Sequence, residues 1–245
     1  MRQYLLPKEG TFYKANLHCH SSVSDGSLSP AELKAAYQSK GYSILAITDH
    51  EWMVPHPELN GPDFLALTAY EMTVRDGKVT TPDNRIIHMN LYAPDSSCTR
   101  HICFDPSAAQ KYCRLTEEAV SRPELGDPAE HLYTPDFINR VTREARERGF
   151  LVSFNHPDWS LEQEADYLRY DGFFAVEVYN HSCFMDVGLS EENLPRSYLE
   201  LIDFIKNQWP ALADAHPNWC AMRSDDYWLL FHELLSDYSI YRRCA

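Results

Sequence analysis

The apolar run at residues 42–48, YSILAIT, constrains the fold more than any other feature of the sequence. A continuous apolar run of this length predicts a strand covered on both faces, as in a parallel sheet with helices outside it. A short extended segment at 15–18 precedes it, and between the two Ser29 and Pro30 mark a helix start. Residues 14–49 are therefore predicted to form a βαβ unit.

The rest of the chain repeats this alternation of strands and helices. Further strands are predicted at 64–70, 86–92, 150–154, 173–179 and 218–223, with helices at 134–148 and 198–207. This rhythm favours an α/β barrel-like architecture, and 245 residues is a usual length for one such domain. We therefore expect a single domain over residues 1–245.

The segment at about 94–132 departs from this rhythm. It is rich in Pro, Ser, Cys and charged residues, which predicts a long irregular excursion with one helix, placed as a lid over a site. We call it the 94–132 segment.

Composition excludes some classes of protein. The net charge of -14 argues against a surface that neutralises many backbone phosphates, so nucleic acid is an unexpected partner, whereas a small anionic substrate stays open. No apolar run of 18 residues and no secretory signal is visible, which predicts a soluble, cytoplasmic protein without a membrane partner. The seven cysteines are scattered without a CxxC pair, as expected for reduced thiols.

Residues able to bind a divalent metal follow or flank one predicted strand after another. His18 and His20 are two apart on a strand, so both imidazoles point to the same side. The further candidates are Asp25, His50, Glu71, His88, His156 and the pair Asp225 and Asp226. Each alone has an ordinary structural reading, but loops that follow barrel strands converge on one face. Their joint occurrence predicts a metal site there.

The segments that carry these residues resemble the motifs of a known family. In order, NLHCHSSVSDG, ITDHE, the Glu of TAYE, HMNLY, FNHP and SDD are similar to the motifs of the PHP (polymerase and histidinol phosphatase) phosphoesterases. The resemblance extends over nearly the whole chain. It implies a distorted (β/α)7 TIM-like barrel with two or three divalent metals (manganese, iron or zinc) at the carboxyl ends of the strands.

The resemblance also implies a role for each residue. The first metal would be held by His18, His20, Glu71 and Asp226, and Glu71 would bridge to a second metal completed by His88 and His156. Asp25 and His50 would contribute to a third. Asp226 is preferred to Asp225 because the second Asp of the family pattern is usually the ligand.

The sequence departs from the family pattern at one position. Trp228 stands where the pattern places a histidine, and an indole N–H is only a hydrogen-bond donor. The third metal site is therefore expected to be weakened, and His232, four residues further on, is interpreted as a surface histidine.

The function implied is hydrolysis of a small phosphomonoester by a metal-activated hydroxide, with no catalytic side chain beyond the metal ligands. A nucleotide, a histidinol phosphate-like ester and a sugar phosphate are all candidate substrates. One alternative is a non-catalytic or regulatory PHP-like domain with a degenerate third metal site. Another is an amidohydrolase. Amidohydrolase barrels usually carry a metal-bridging lysine on a middle strand, and no lysine lies between Lys111 and Lys206, which disfavours this alternative. A local zinc site of Cys98, His101, Cys103 and Cys113 is a third.

Other polar residues near the predicted site keep two interpretations. Asp49 either orients a metal ligand or caps a turn. Arg75 and Arg85 lie near presumed ligand loops, where either could meet a phosphate. Asn180 and His181 follow a predicted strand and either face the site or cap the strand end.

Overall fold

The computed structural model describes residues 13–77, 85–162 and 164–177, and all structural statements below concern these residues. They form one six-stranded sheet with five α-helices. The strands are β1 (Ala15–Asn16), β2 (Ile44–Ile47), β3 (Leu65–Arg75), β4 (Ile86–Tyr92), β5 (Leu151–Phe154) and β6 (Ala175–Val176). The helices are α1 (Pro30–Gln38), α2 (Pro106–Cys113), α3 (Glu117–Val120), α4 (Pro135–Glu147) and α5 (Glu164–Tyr167), and short 3₁₀ turns occupy Pro57–Leu59, Pro123–Leu125 and Pro157–Ser160.

The strands follow one another across the sheet in chain order, but not all of them are parallel. β1, β2 and β3 are parallel, β4 is antiparallel to both β3 and β5, and β6 is parallel to β5. The connection between β3 and β4, residues 76–85, is too short for a crossover helix, so β4 returns beside β3 in the opposite direction. The predicted α/β class is confirmed as a mixed sheet curled into a half-barrel.

The predicted strand at 218–223 and helix at 198–207 lie outside the described residues. A complete (β/α)7 barrel therefore stays a prediction. The reversal of β4 has a consequence for the site, because an antiparallel strand begins at the edge where its parallel neighbours end.

Helix α1 begins where the sequence predicts it. The Ser29 side chain accepts a hydrogen bond from the Glu32 amide, and the Glu32 carboxylate accepts one from the Ser29 amide, which satisfies two amide groups at the helix start. Leu33 and Tyr37 are buried in a cluster with residues of β2 and β3. This packing holds β1, β2 and their following loops in place.

The main core lies between α4 and the hairpin of β3 and β4. Phe137, Ile138 and Val141 of α4 pack into one buried cluster with Met72 and Met89 of the hairpin. Each fully buried side chain of this size contributes about 1.5–3 kcal/mol relative to an exposed one. The hairpin is therefore a firm support for the polar side chains on its other face.

The 94–132 segment contains α2, α3 and a 3₁₀ turn rather than the single predicted helix. Phe104, Val120 and Leu125 bury against Trp52 in a cluster of their own. None of the described helices combines the length and the apolar character that crossing a bilayer requires.

Glu162 is a buried carboxylate in the segment after β5. The hydroxyl groups of Tyr133 and Tyr170 both donate to Oε1, while Oε2 meets no donor within the described part of the chain. Burial raises the pKa of Glu162 to about 7 and outweighs the opposing effect of the two tyrosine hydrogen bonds. The folded protein therefore keeps this carboxyl group protonated at mildly acidic pH.

Replacing Glu162 by Gln should change how stability depends on pH. In the unfolded chain the carboxyl group ionises near its ordinary pKa of 4.5, whereas in the folded protein it ionises near 7. The unfolded state binds fewer protons between these values, so stability falls as pH rises from 4.5 through 7. Relative to Glu162→Gln, the wild type should lose about 3 kcal/mol of unfolding free energy over this range.

Urea denaturation at pH values between 4 and 8.5 measures this difference. Glu147→Gln, a change at an exposed residue at the end of α4, is the control and should keep the pH profile of the wild type. Parallel profiles for the wild type and Glu162→Gln would contradict the prediction.

Candidate metal centre

Glu71 is the centre of a cluster of five histidines. Its carboxylate is 1% exposed, and each of its two oxygens faces a different set of ring nitrogens. Oε1 lies 3.1 Å from His18 Nε2, 3.3 Å from His88 Nδ1 and 3.3 Å from His156 Nε2. Oε2 lies 3.1 Å from His20 Nε2 and 3.1 Å from His50 Nδ1. A carboxylate placed in this way can serve two ions at once.

His18 and His20 reach Glu71 from the loop that follows β1. Their Nε2 atoms are 3.2 Å apart, while Cys19 between them points away into the cluster packed under α1. The alternation of side chains along an extended segment thus sends both imidazoles to one side, as the HxH spacing predicts.

Asp25 can approach His20 because the next residue, Gly26, has no side chain. The Asp25 carboxylate lies 2.7 Å from His20 Nδ1 and 3.6 Å from His50 Nε2. A Cβ at Gly26 would lie 2.2 Å from the backbone oxygen of His20, which is a severe overlap. Only glycine allows this close approach of the two backbone segments.

Asp49 organises the loop that carries Asp25. Its Oδ1 accepts hydrogen bonds from the Ser21 and Ser24 amides at 2.8 and 3.2 Å, and both serine hydroxyls donate to its carboxylate. Asp49 therefore acts on the loop backbone, which is the turn-capping interpretation. The next residue, His50, forms a bridge with Glu71 in the middle of β3.

The sequence predicts that Glu71 and His88 lie at strand ends. In the structure both lie within strands. β3 continues to Arg75 instead of stopping before Glu71, and His88 is near the beginning of β4. The antiparallel pairing opposes Thr73 to His88 and brings the first residues of β4 to the edge where β2 ends. The reversed strand therefore presents its ligand from its amino-terminal part.

Asn155, the residue after β5, orients Glu71. The Asn155 amide donates to Glu71 Oε1 at 2.8 Å, and the Ser153 hydroxyl donates to Asn155 Oδ1 at 3.0 Å. His156 follows at a backbone φ of 24° and ψ of 65°, a left-handed conformation that is rare for a residue with a side chain. Sequence reasoning used the FNHP motif for His156 and missed the role of its asparagine.

Glu177 is the second residue that sequence reasoning missed. It follows β6, is 1% exposed, and contacts His18 and His156. A signal was present, because a glutamate interrupts the apolar strand FFAVEVY. A buried glutamate inside an apolar strand calls for a polar partner in the core.

The chemistry of this cluster fits a divalent metal. Two ligand atoms each about 2.1 Å from one ion in a tetrahedral arrangement are about 3.4 Å apart, close to the separations around Glu71. His50 Nδ1 is buried and makes no hydrogen bond within the described residues, although it is 3.1 Å from Glu71 Oε2. Such a contact suits two atoms that share an ion.

Four groups of side chains in the described ranges bring three ligand atoms within 4.8 Å of one another. They are His18, His20 and Glu71; His20, Asp25 and His50; His50, Glu71 and His88; and His18, His156 and Glu177. Imidazole and carboxylate ligands together suit zinc, iron and manganese.

Burial and the neighbouring charges shift the pKa values of these side chains. Burial by itself would raise the pKa of Glu71, but the charges of His88 and His18 hold it well below its ordinary value. Burial lowers the pKa of His88 to about 4. His20 is also buried, yet its hydrogen bonds to Asp25 and Glu71 raise its pKa to about 9. A metal at this centre must therefore displace protons from some imidazoles and not from others.

The structure brings together seven of the eight predicted ligands. They are His18, His20, Asp25, His50, Glu71, His88 and His156. Asp226 lies outside the described residues, with Asp225, Trp228, His232, Asn180 and His181. The role of each residue as a ligand stays a prediction.

The alternative zinc site in the 94–132 segment is not assembled. His101 Nε2 accepts a hydrogen bond from the Met53 amide, and its Nδ1 faces the Leu125 carbonyl. The thiol of Cys103 donates to Glu144, and none of the four metal-binding groups in the described ranges includes these residues.

The two candidate arginines have different environments. Arg85 pairs with Asp76 and Asp166 at 3.0 and 3.2 Å, which is a structural role. Arg75 donates to the Tyr112 hydroxyl at 2.6 Å, and the Tyr112 ring is centred 4.8 Å from the ring of His50. Helix α2 of the 94–132 segment thus connects Arg75 to the metal centre.

Comparisons with known proteins show limited similarity. No family model matches the chain. Over 38 residues, 16% of the chain, it is 50% identical to a 5'-3' exoribonuclease of Haemophilus influenzae. This stretch corresponds to 14% of the length of that relative.

Three solved structures are similar in backbone. A "putative metal-dependent phosphoesterase" of Bifidobacterium adolescentis is 16% identical with a TM-score of 0.47, covering 81% of this chain and 85% of the other. An amidohydrolase of Chromobacterium violaceum with bound sulfate and no metal is 15% identical with a TM-score of 0.46, covering 80% and 84%. A two-domain Bacteroides vulgatus protein containing a predicted PHP-like metal-dependent phosphoesterase is 16% identical with a TM-score of 0.36, covering 68% and 44%. Similarities of this size leave the activity to be inferred from the geometry of the centre.

Gly26→Ala should destabilise the protein and weaken metal binding. The new methyl group would overlap the His20 backbone, so the loop must move and take Asp25 away from His20. Overpacking of this kind costs about 1–3 kcal/mol. Urea denaturation and titration with zinc measure the two effects.

Gly61→Ala is the matched control, because no atom lies within 4 Å of a Cβ at that position. Its stability should stay within about 0.5 kcal/mol of the wild type. Equal effects of the two substitutions would refute the close-approach explanation.

Proposed function

We propose that this chain is a PHP-type metal-dependent phosphoesterase. The observation that carries the proposal is the buried carboxylate of Glu71 with ring nitrogens of five histidines 3.1–3.3 Å away. A packing role does not explain so many imidazoles around one carboxylate, whereas a centre for two or three ions does. We further propose that Asp226 joins this centre and that the residues after 177 complete a distorted (β/α)7 TIM-like barrel.

The residues assigned to the metals divide around Glu71. His18, His88 and His156 face one carboxylate oxygen, and His20 and His50 face the other. Bound manganese, iron or zinc would supply positive charge to phosphoryl oxygens and lower the pKa of a water molecule. Glu71 would hold the two ligand sets together, and the hydrogen bond from the Asn155 side-chain amide to Oε1 orients its carboxylate.

Arg75 and Tyr112 are proposed to orient the substrate. The Arg75 guanidinium donates a hydrogen bond to the Tyr112 hydroxyl, and the Tyr112 ring packs on His50. A guanidinium matches the geometry of phosphate oxygens, so this side of the centre suits a phosphorylated ligand. We assign no side chain of the described residues as a separate acid or base; in this proposal they bind, orient and hold charge.

The proposed substrate is a small phosphomonoester, either a nucleotide, a histidinol phosphate-like ester or a sugar phosphate. The short similarity to a 5'-3' exoribonuclease favours the nucleotide among these three. A short 5'-phosphorylated oligoribonucleotide therefore belongs in the same substrate panel. The protein is proposed to act in the cytoplasm.

A non-catalytic, regulatory domain is the second candidate. Trp228 favours it, because a family ligand position carries a side chain that cannot bind a cation through a lone pair. The assembly of all seven described ligand positions favours catalysis.

Glu71→Gln and His18→Ala should both abolish hydrolysis. We expect kcat/KM for the best phosphoester to fall on the order of a thousandfold or more, because each change removes a group that holds the metals. Bound metal is quantified by elemental analysis, and turnover is measured with added manganese, iron or zinc.

Matched controls are Glu147→Gln and His56→Ala, because neither residue lies in the centre. Both should keep the metal content and the turnover of the wild type. Wild-type turnover in both Glu71→Gln and His18→Ala would refute the proposal, and metal binding without any hydrolysis would favour the regulatory domain.

A further inference from the structure

Glu177 lies on the opposite side of the His18 ring from Glu71. His18 Nδ1 is 3.2 Å from Glu177 Oε1, and His18 Nε2 is 3.1 Å from Glu71 Oε1. Both carboxylates are 1% exposed, so this arrangement is isolated from water. The imidazole is therefore held between two buried carboxylates, one at each nitrogen.

A histidine that binds a metal must present one nitrogen without a proton. A neutral imidazole keeps its proton on the other nitrogen, and a hydrogen-bond acceptor there selects the tautomer and the ring orientation. An acceptor at Nδ1 of His18 directs its Nε2 to the ligand side. That side is where Nε2 already meets Glu71 and His20.

The second oxygen of Glu177 acts on another predicted ligand. The His156 amide donates to Glu177 Oε2 at 2.8 Å. His156 has the left-handed backbone described above, which persists only where neighbouring groups hold it. One carboxylate thus contacts His18 after β1 and His156 after β5.

The sheet places Glu177 where it can make both contacts. β6 pairs in parallel with β5, and the Glu177 amide donates to the Phe154 carbonyl at 2.7 Å. The ladder therefore continues one residue beyond β6 and sets the direction of the Glu177 side chain.

A direct role of Glu177 as a metal ligand is the competing interpretation, since it is close to His18 and His156. That role would require His18 to bind the ion through Nδ1. His18 Nε2 would then not bind an ion held by Glu71 and His20, although it lies 3.1 Å from Glu71 Oε1 and 3.2 Å from His20 Nε2. Glu177 Oε2 would also have to share the His156 amide.

We infer that Glu177 is a positioning residue, which selects the His18 tautomer and holds the His156 backbone so that both rings point to the metals. This inference rests on the proposed metal centre, but not on the identity of the substrate. It assigns a function to a side chain outside the predicted ligand set.

Zinc affinity of Glu177→Gln and Glu177→Ala, measured by competition with a chelator, is the first test. Loss of such an outer partner typically weakens metal binding 10–100-fold. Gln can accept one of the two hydrogen bonds but opposes the other with its own N–H groups, so about a tenfold loss is expected. Ala removes both, so a loss of up to about a hundredfold is expected, with unchanged stoichiometry.

Glu162→Gln is the matched control, because Glu162 is also a buried carboxylate but accepts from tyrosines and not from the centre. It should keep the zinc affinity of the wild type. Circular dichroism confirms that each variant is folded, and the isosteric Gln variant keeps the test decisive if the Ala variant does not fold.

The second test observes the ring of His18 directly. Nitrogen-15 spectra of the zinc-loaded protein should show a proton on His18 Nδ1 that exchanges slowly with water. In Glu177→Ala this signal should broaden or disappear. Glu177→Ala should weaken zinc binding less in a His18→Ala background than in the wild type, because the contribution that acts through His18 is then already lost.

Unchanged zinc affinity and an unchanged Nδ1 proton in Glu177→Gln would overturn the inference. Loss of one zinc equivalent would also overturn it, because Glu177 would then be a ligand. Equal weakening by Glu162→Gln would do the same, since the effect would be general. Wild-type protein that binds zinc but hydrolyses no phosphoester would refute only the proposed function, and wild-type protein that binds no zinc would refute both.

Discussion

The contact of one buried carboxylate with five imidazoles is the interaction on which the rest of the site depends. Glu71 is the residue that all five histidines share, and they come from four different parts of the sheet. Such an arrangement is costly without a counter-charge, because carboxylates and imidazoliums both lose hydration on burial. Attraction between these groups outweighs the cost, because it lowers the pKa of Glu71 and raises the pKa values of His18 and His20, although burial alone would do the reverse. A divalent ion held by these residues would take the place of protons on the imidazoles.

The sheet is built so that these groups converge. β3 is longer than its neighbours, and only its first residues pair with β2, so Glu71 extends into the space above the β2 edge. The reversed strand β4 then brings His88 to the same place. Packing of α4 beneath the hairpin supplies the stability, while Asn155 and Glu177 hold the polar groups in their orientations. Apolar burial supports one face and the charged cluster occupies the other.

Some elements of this structure were predictable because they depend on near neighbours in the chain. The capping pair of Ser29 and Glu32 defines the start of α1 locally, and the alternation of His18 and His20 follows from an extended backbone. The direction of β4 was not predicted, since an alternation of strands and helices implies parallel strands, whereas the connection from β3 to β4 is too short for a crossover helix. Glu177 was not predicted as part of the site, because its partners are His18 and His156, far away in the sequence.

The sequence by itself determined the α/β class, the place of most elements and the residues able to bind metal. Side-chain chemistry and local backbone preferences are properties of short segments, so they can be read without a fold. Only the tertiary structure decided that β4 runs in reverse, that Glu71 faces five histidines and that Glu177 supports two of them. These facts depend on which segments pair and how they twist, and that is settled by burial over the whole chain.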